Sequence, residues 1–255
     1  WAATWINGVR KVSSAYLPKV GTTSSGTTSG GTTTTAKPTT TTVKPTTTTT
    51  KPTSTTSKGT VSGAGTSSSV GSVSGGWKLA FQDDFNGPLN ESVWGIYEGV
   101  GNQGIGWRSR YAVSVSNGQV HLTGRGNTAG GIGMNQGQTY GKWEVRSRLD
   151  NGSGYNTATL LWPTSERWPI DGEIDLSEIF STRYNRSYSF THYGADNKQL
   201  STYTDLDTSQ WHTYGVEWDS SKITYYIDGK ATQTIPNSTG AVPHNPHFLA
   251  IQLDV

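Results

Sequence analysis

From residue 77 onward, apolar side chains recur at every second position. Trp143, Val145 and Leu149 alternate with charged residues along one segment, and residues 211–218 alternate in the same way. A period of two is typical of a β-strand that buries one face and exposes the other. The pattern therefore predicts a fold made of half-buried strands.

Turn signals divide these segments into short strands. The dipeptides Asn117-Gly118 and Asp228-Gly229 each lie between two alternating segments, and both supply the positive φ angles that a two-residue hairpin needs. No long segment shows helical periodicity. We therefore expect residues 77–255 to form an all-β antiparallel sandwich or jelly roll.

Residues 21–76 have a different composition, with 22 Thr, 11 Ser and 10 Gly and no aromatic residue. Such a segment cannot bury enough apolar surface to offset the entropy of ordering, which predicts a disordered linker. Tracts rich in Thr and Pro are typical of O-glycosylated stalks and hence of secreted proteins, and an unmodified linker fits equally well. Residues 1–20 are too few for a domain and are interpreted as an unassigned remnant of an upstream segment or module.

The charges divide at the same boundary. Residues 1–76 hold seven basic groups and no acidic group, whereas residues 77–255 hold 13 basic and 18 acidic groups, a net charge of −5. An acidic domain argues against a nucleic-acid partner. No apolar stretch is long enough to span a membrane, and the lack of Cys excludes disulfide scaffolds and cysteine-based zinc sites. His244-x-x-His247 lacks the H-E-x-x-H pattern of zinc proteases.

The most informative segment is acidic and contains Glu173, Asp175 and Glu178. On a regular strand, Glu173 and Asp175 share a face, while Ile174 and Leu176 point into the core. Glu178 then falls on the wrong side. A β-bulge between Asp175 and Glu178 would return it to the face of the other two, so the spacing predicts a bulge.

Three carboxylates on one strand face repel one another, so the arrangement costs stability and calls for a functional explanation. Two carboxylates with separated pKa values are what retaining glycoside hydrolysis requires. A solvated strand face and a cation site are the alternatives. The Trp-rich segment that precedes the acids, with Trp162-Pro163 and Trp168-Pro169, favours a sugar ligand.

These residues resemble a known family. Glu173-Ile-Asp175-Leu-Ser-Glu178 is similar to the bulged E-x-D-x-x-E signature of glycoside hydrolase family 16. Residues 140–146 resemble its Y-G-x-x-E-x-R strand, and residues 211–218 with 226–229 resemble its W-H-x-Y-x-x-E-W…DG hairpin. The laminarinase-like resemblance covers residues 77–255, which we therefore expect to be the catalytic domain.

The resemblance implies a concanavalin A-like jelly roll with a cleft. It makes Glu173 the nucleophile and Glu178 the general acid/base, with Asp175 hydrogen-bonded to the nucleophile. It also implies a set of substrate-binding residues, namely Trp162, Trp168 and His192.

The expected function is that of a secreted, monomeric, retaining endo-β-glycanase that acts on an extracellular polysaccharide without a cofactor. A β-1,3- or β-1,3-1,4-glucan is the favoured substrate. The alternatives are a transglycosylase, an endo-hydrolase of an agar- or carrageenan-type galactan, and an inactive carbohydrate-binding module. A wall-spanning structural protein is supported by the linker alone.

Two departures from the family pattern bear on these expectations. Residues 106–111 replace an N-x-E-x-Q-x-Y segment that helps to bind glucan in the family. Solvated surface residues are the favoured interpretation of four arginines, and contact with an acidic polysaccharide is the alternative; they are Arg108, Arg110, Arg183 and Arg186. The family also continues beyond a strand like residues 248–255, so we expect a final strand to be missing. A structural calcium fits the family, but the sequence does not place its site.

Overall fold

The alternating segments form two extended β-sheets. The computed structural model describes residues 2–14, 77–150 and 152–255. These residues contain eighteen strands, three short 3₁₀ turns (Asn102–Gly104, Arg110–Ala112 and Asn237–Thr239) and no α-helix. The predicted linker, residues 21–76, lies outside the described residues. None of the described residues form a helix long and apolar enough to cross a membrane.

The strands are numbered in chain order. They are β1 (Ala2–Ser14), β2 (Trp77–Asp83), β3 (Trp94–Ile96), β4 (Gly99–Val100), β5 (Trp107–Arg108), β6 (Val113–Ser116), β7 (Gln119–Gly124), β8 (Thr128–Ala129), β9 (Gly131–Met134), β10 (Gly141–Asp150), β11 (Asn156–Pro163), β12 (Glu173–Ile179), β13 (Arg186–Tyr193), β14 (Lys198–Asp205), β15 (His212–Trp218), β16 (Lys222–Ile227), β17 (Lys230–Pro236) and β18 (His247–Asp254).

Two large sheets and one small sheet result. The eight-stranded sheet has the order β17-β16-β15-β10-β1-β7-β6, with β2 also paired to β1. The seven-stranded sheet has the order β14-β13-β12-β11-β18-β9-β3, and β4, β5 and β8 form the small sheet. Only the β5–β8 pair is parallel among the strand pairs of the described residues. The predicted all-β antiparallel jelly-roll sandwich is confirmed.

The core lies between the two large sheets. The eight-stranded sheet contributes Trp143, Tyr214 and Trp218, and the seven-stranded sheet contributes Ile174 and Leu249; all five are at most 1% exposed. The Trp143 and Trp218 rings stack at 5.9 Å between centroids. These residues occupy alternate positions of their strands, which confirms the interpretation of the period-two pattern.

Both predicted hairpins are present. Asn117 and Gly118 connect β6 to β7 with φ angles of 54° and 67°, and Asp228 and Gly229 connect β16 to β17 with φ angles of 50° and 75°. Positive φ at two successive residues gives the turn the twist of the strands that it joins.

The position of β1 could not be predicted from the sequence. One edge of β1 pairs with β10 along most of its length. The other edge pairs with β7 over residues 2–6 and with β2 over residues 9–14. Most of the segment that the sequence leaves unassigned, residues 1–20, is thus an interior strand of the sandwich.

Candidate active site

The acidic segment forms β12 and contains the predicted bulge. Asp175 pairs with Phe190 and Glu178 pairs with Tyr188, so three steps along β12 match two steps along β13. The pairing of β12 with β11 shows the same shift. Leu176 is the additional residue, and its side chain is fully buried. On a regular strand Glu178 would lie on the opposite face from Glu173 and Asp175. The bulge therefore places Glu178 on the same face as the other two acids.

The three acidic side chains share the sheet face that is turned away from the core. Across the ladder they lie opposite Tyr188, Phe190 and His192 of β13. The Tyr188 and Phe190 rings stack at 6.0 Å with an interplanar angle of 17°, and His192 follows at 5.9 Å from Phe190. A row of aromatic rings thus borders the carboxylates.

The predicted tryptophans and histidine lie beside Glu173. The Trp168 indole donates a hydrogen bond of 2.5 Å to Glu173 Oε2. Trp168 stacks on Trp162 at 6.1 Å and lies 5.9 Å from His192. Trp168 is 40% exposed, and the Trp162 indole donates to Glu166. Trp168 is therefore open to a ligand, whereas Trp162 is partly buried and packs against a small apolar cluster that includes Leu160.

Asp175 is the most buried of the three acids, with no exposed surface. Within the described part of the chain, neither of its oxygens accepts a hydrogen bond. His192 Nε2 lies 3.5 Å from Oδ2, and Asn197 orients that imidazole at Nδ1. Burial, followed by the charges of Glu173 and Glu178, raises the pKa of Asp175 well above its usual range. A protonated Asp175 can donate to the Glu173 carboxylate.

The two glutamates have different surroundings. Burial raises the pKa of Glu173, but His192, the Trp168 N–H and Asp175 each lower it. Burial, Glu173 and Asp254 together raise the pKa of Glu178 to about 7. Three neighbouring groups stabilise the Glu173 anion, whereas burial, Glu173 and Asp254 all disfavour the Glu178 anion. Glu173 therefore loses its proton before Glu178 does. The site can hold one ionised and one protonated carboxyl at mildly acidic pH.

The same groups define the candidate metal cluster of the described residues. Glu173, Asp175 and His192 offer ligand atoms within 4.8 Å of one another. Calcium takes six to eight oxygen ligands, and a set of two carboxylates and an imidazole does not supply them. This cluster therefore does not fit the structural calcium that some members of the family hold.

The histidines of the His244-x-x-His247 segment serve separate contacts. His244 Nδ1 bonds to the Tyr140 hydroxyl at 2.7 Å. His247 is fully buried against Trp218, and its Nδ1 bonds to the Asn245 carbonyl. Each ring thus has its own structural neighbours.

Three of the four arginines flagged in the sequence are engaged by carboxylates. Arg108 pairs with Asp254 at 2.6 Å, Arg110 pairs with Glu91 at 3.2 Å, and Arg186 pairs with Asp205 at 2.6 Å. Arg183 lies beside the groove formed by the β12–β13 connection and the end of β14. A surface whose arginines already hold carboxylates is less suited to an acidic polysaccharide.

Two features of the site were missed in the sequence. The aromatic row on β13 was visible as alternate aromatic residues in residues 186–193. The Arg108–Asp254 pair joins residues 146 positions apart, so no local sequence pattern predicts it.

The sequence model described as Glycosyl hydrolases family 16 matches residues 102–253. The chain belongs to this family. The match contains β12 and every predicted site residue, so the assignment applies to the part of the chain that holds the site.

Curated relatives are similar over different shares of their length. A beta-glucanase of Bacillus amyloliquefaciens is 29% identical over 196 residues, which cover 71% of this chain and 80% of the relative. A beta-glucanase of Rhodothermus marinus is 29% identical over 112 residues. The chain spans 38% of the Rhodothermus protein and 25% of an endo-1,3-1,4-beta-glycanase of Rhizobium meliloti.

Solved structures of laminarinases share the fold. The laminarinase catalytic domain from Thermotoga maritima superimposes with a TM-score of 0.63 at 20% identity, covering 70% of this chain and 87% of that one. The laminarinase from Rhodothermus marinus gives a TM-score of 0.61 at 21% identity, covering 68% of this chain and 84% of that one.

Proposed function

We propose that this family 16 protein is a retaining endo-β-glycanase that hydrolyses internal bonds of a β-1,3- or β-1,3-1,4-glucan. The observation that carries the proposal is the pair Glu173 and Glu178, which lie on one face of the bulged strand with surroundings that separate their pKa values. Retaining glycosidases use such a pair as nucleophile and acid/base.

The reaction would take place in two steps. Protonated Glu178 gives its proton to the leaving glycosidic oxygen while the Glu173 carboxylate attacks the anomeric carbon and forms a glycosyl-enzyme ester. Glu178, now a base, takes a proton from water, and the resulting attack on the anomeric carbon releases Glu173. Two inversions give net retention, and no cofactor takes part.

The surrounding groups support this division of roles. The Trp168 N–H, His192 and Asp175 favour the Glu173 anion, which is the form a nucleophile needs. Trp162 and Trp168 form a stacked aromatic pair next to it, and aromatic faces suit the apolar faces of sugar rings.

The substrate class is supported by the relatives and by the arginines. The Bacillus and Rhodothermus relatives are named beta-glucanases. Arg108, Arg110 and Arg186 are paired with carboxylates, which disfavours a sulfated or otherwise acidic galactan. Because the chain carries a Thr-rich tract of the kind found in secreted proteins, we also propose that the protein is secreted and acts on an extracellular polysaccharide.

Chemical rescue tests the roles of the two glutamates. On an aryl β-glycoside with a good leaving group, Glu173→Ala should lose at least about a thousandfold in turnover. Azide should restore activity and give a glycosyl azide of inverted configuration. Glu178→Ala is the matched control, because its azide product should retain the β configuration.

A Glu173→Ala protein that azide does not rescue, or that forms the β-azide, would contradict the proposed roles.

The substrate is tested by measuring hydrolysis of laminarin, lichenan, agarose and carrageenan by the unaltered protein. Products longer than the starting oligosaccharide would identify transglycosylation instead of hydrolysis.

A further inference from the structure

The Arg108–Asp254 ion pair lies at the end of β18, on the side of the site where Glu178 lies. Arg108 donates to Asp254 Oδ1 from Nε at 3.1 Å and from Nη2 at 2.6 Å. The two side chains are only 18% and 12% exposed. The guanidinium also lies over the Tyr97 ring at 5.3 Å. The pair is therefore held in place and only partly screened by water.

The strand register places Asp254 on the sheet face that carries Glu178. Ala158 of β11 pairs with Glu178 on one side and with Gln252 on the other, and Asn156 pairs with Asp254. Gln252, Asp254, Ala158 and Glu178 therefore share one sheet face. β12 and β18 are two strand spacings apart, roughly 9–10 Å. Because Gln252, and not Asp254, lies directly across from Glu178, the two acids are related diagonally across β11, with Ala158 and Asn156 on the strand between them.

We propose that Asp254 is a positioning residue that helps Glu178 to hold its proton for the first step of the reaction, and that Arg108 moderates this contribution. The inference rests on the proposed function for its catalytic meaning, but the interaction itself does not depend on a substrate. A second negative charge facing Glu178 makes the loss of its proton less favourable.

Other titratable groups face Glu178 and limit what Asp254 contributes. Glu173 and Asp175 come from the same strand, and Tyr188 lies opposite on β13. Burial is the largest cause of the raised pKa of Glu178, followed by Glu173 and then by Asp254. Asp254 therefore adjusts the acidity of Glu178 and is not its main determinant.

The signs of three substitutions follow from Coulomb's law. Asp254→Asn removes the anion and leaves the Arg108 cation, so the pKa of Glu178 should fall. Arg108→Gln removes the cation that offsets Asp254, so the pKa should rise. Unit charges at this separation in a partly buried site predict shifts of about half to one pH unit. The double variant should fall between the two single variants.

The experiment is a ¹³C NMR titration of the glutamate side-chain carboxyl carbons in the full chain. The Glu178 resonance is assigned by its absence in Glu178→Gln. The predicted order of midpoints is Arg108→Gln highest, then the unaltered protein, then Asp254→Asn. An unchanged Glu178 midpoint in Asp254→Asn would overturn the proposal. If that isosteric variant does not fold, Arg108→Gln alone decides, since an unchanged or lowered midpoint there contradicts the proposal.

Kinetics provide an independent readout. In Asp254→Asn, the alkaline limb of the kcat/KM profile should move to lower pH while the acid limb stays in place. A merely structural role would lower activity at every pH without moving that limb, and this outcome would count against the proposal. Absence of hydrolysis in the unaltered protein would refute the proposed function but leave the NMR result interpretable.

Discussion

At the scale of the residue, the indole of Trp168 is one of the groups that set the pKa of Glu173, after burial and His192. Its N–H donates to Oε2 at 2.5 Å and lowers the pKa of a carboxyl whose burial raises it. Trp168→Phe keeps an aromatic ring but removes the donor. Because Glu173 must be ionised, the acid limb of kcat/KM should move to higher pH by about one unit. The pH profile of the variant measures this shift.

Trp162→Phe is the matched control. The Trp162 indole donates to Glu166 at 3.0 Å instead of to Glu173. This variant also loses one N–H from the stacked pair, but its acid limb should remain where it is. Equal shifts in both variants would mean that the aromatic pair acts through packing and not through the hydrogen bond.

The site could be predicted from the sequence where its residues are close along the chain. The spacing of Glu173, Asp175 and Glu178 placed them on one face, and the structure brings Trp168 and His192 beside them. The parts that could not be predicted depend on contacts between distant segments. The burial of Asp175 and the Arg108–Asp254 pair belong to this group, because both depend on how the strands assemble.

At the scale of the element, the bulge in β12 lets two successive side chains point into the core while the next acid stays in the site. Leu176 and Ser177 both point toward the core and are at most 2% exposed, while Glu178 remains on the face of the site. Deleting Ser177 converts the segment into a regular E-x-D-x-E strand in which all three acids keep their face. We expect this deletion variant to retain activity within about a hundredfold, measured as kcat/KM on the same glucan.

The deletion has a separate effect on stability. Ser177 and Ser187 share a buried hydrogen bond of 2.8 Å, so Ser187 loses its partner at a cost of about 1–3 kcal/mol. Adding Ser187→Ala should recover part of the lost Tm. Activity as low as that of Glu178→Gln in a folded deletion variant would show that the bulge does more than restore parity.

The strands themselves differed in how well they could be predicted. β10, β15 and the two hairpins follow from alternation and from turn residues, which are local signals. β1 was not predicted, because pairing partners are not encoded in a strand's own thirteen residues. Its neighbours in the sheet begin at residue 77 or later.

At the scale of the whole molecule, β1 joins the two parts of the eight-stranded sheet, because it lies between β10 on one side and β7 and β2 on the other. A chain that lacks residues 1–16 would leave unpaired the edges of β10, β7 and β2 that now bond to β1. Unpaired interior edges are costly and promote association between molecules. We expect the truncated chain to melt at least about 10 °C lower, as measured by calorimetry.

A synthetic peptide of residues 1–16 should restore part of the lost stability when added to the truncated chain. The control peptide carries Lys11→Pro, which removes a backbone donor from the middle of the strand. Lys11 pairs with both β10 and β2, so the control should not bind. Equal melting of the truncated and full chains would contradict a structural role for β1.

The place of β1 in the sheet also has a consequence for the time at which the domain can assemble. Ser14 ends β1, and Gly141, which begins β10, follows it by 127 residues. At about 5–20 residues per second, a ribosome needs roughly 6–25 s to make that interval. During this time the first strand is outside the ribosome without its principal neighbour. Until β10 has been synthesised, β1 must therefore be kept from pairing with strands of other chains.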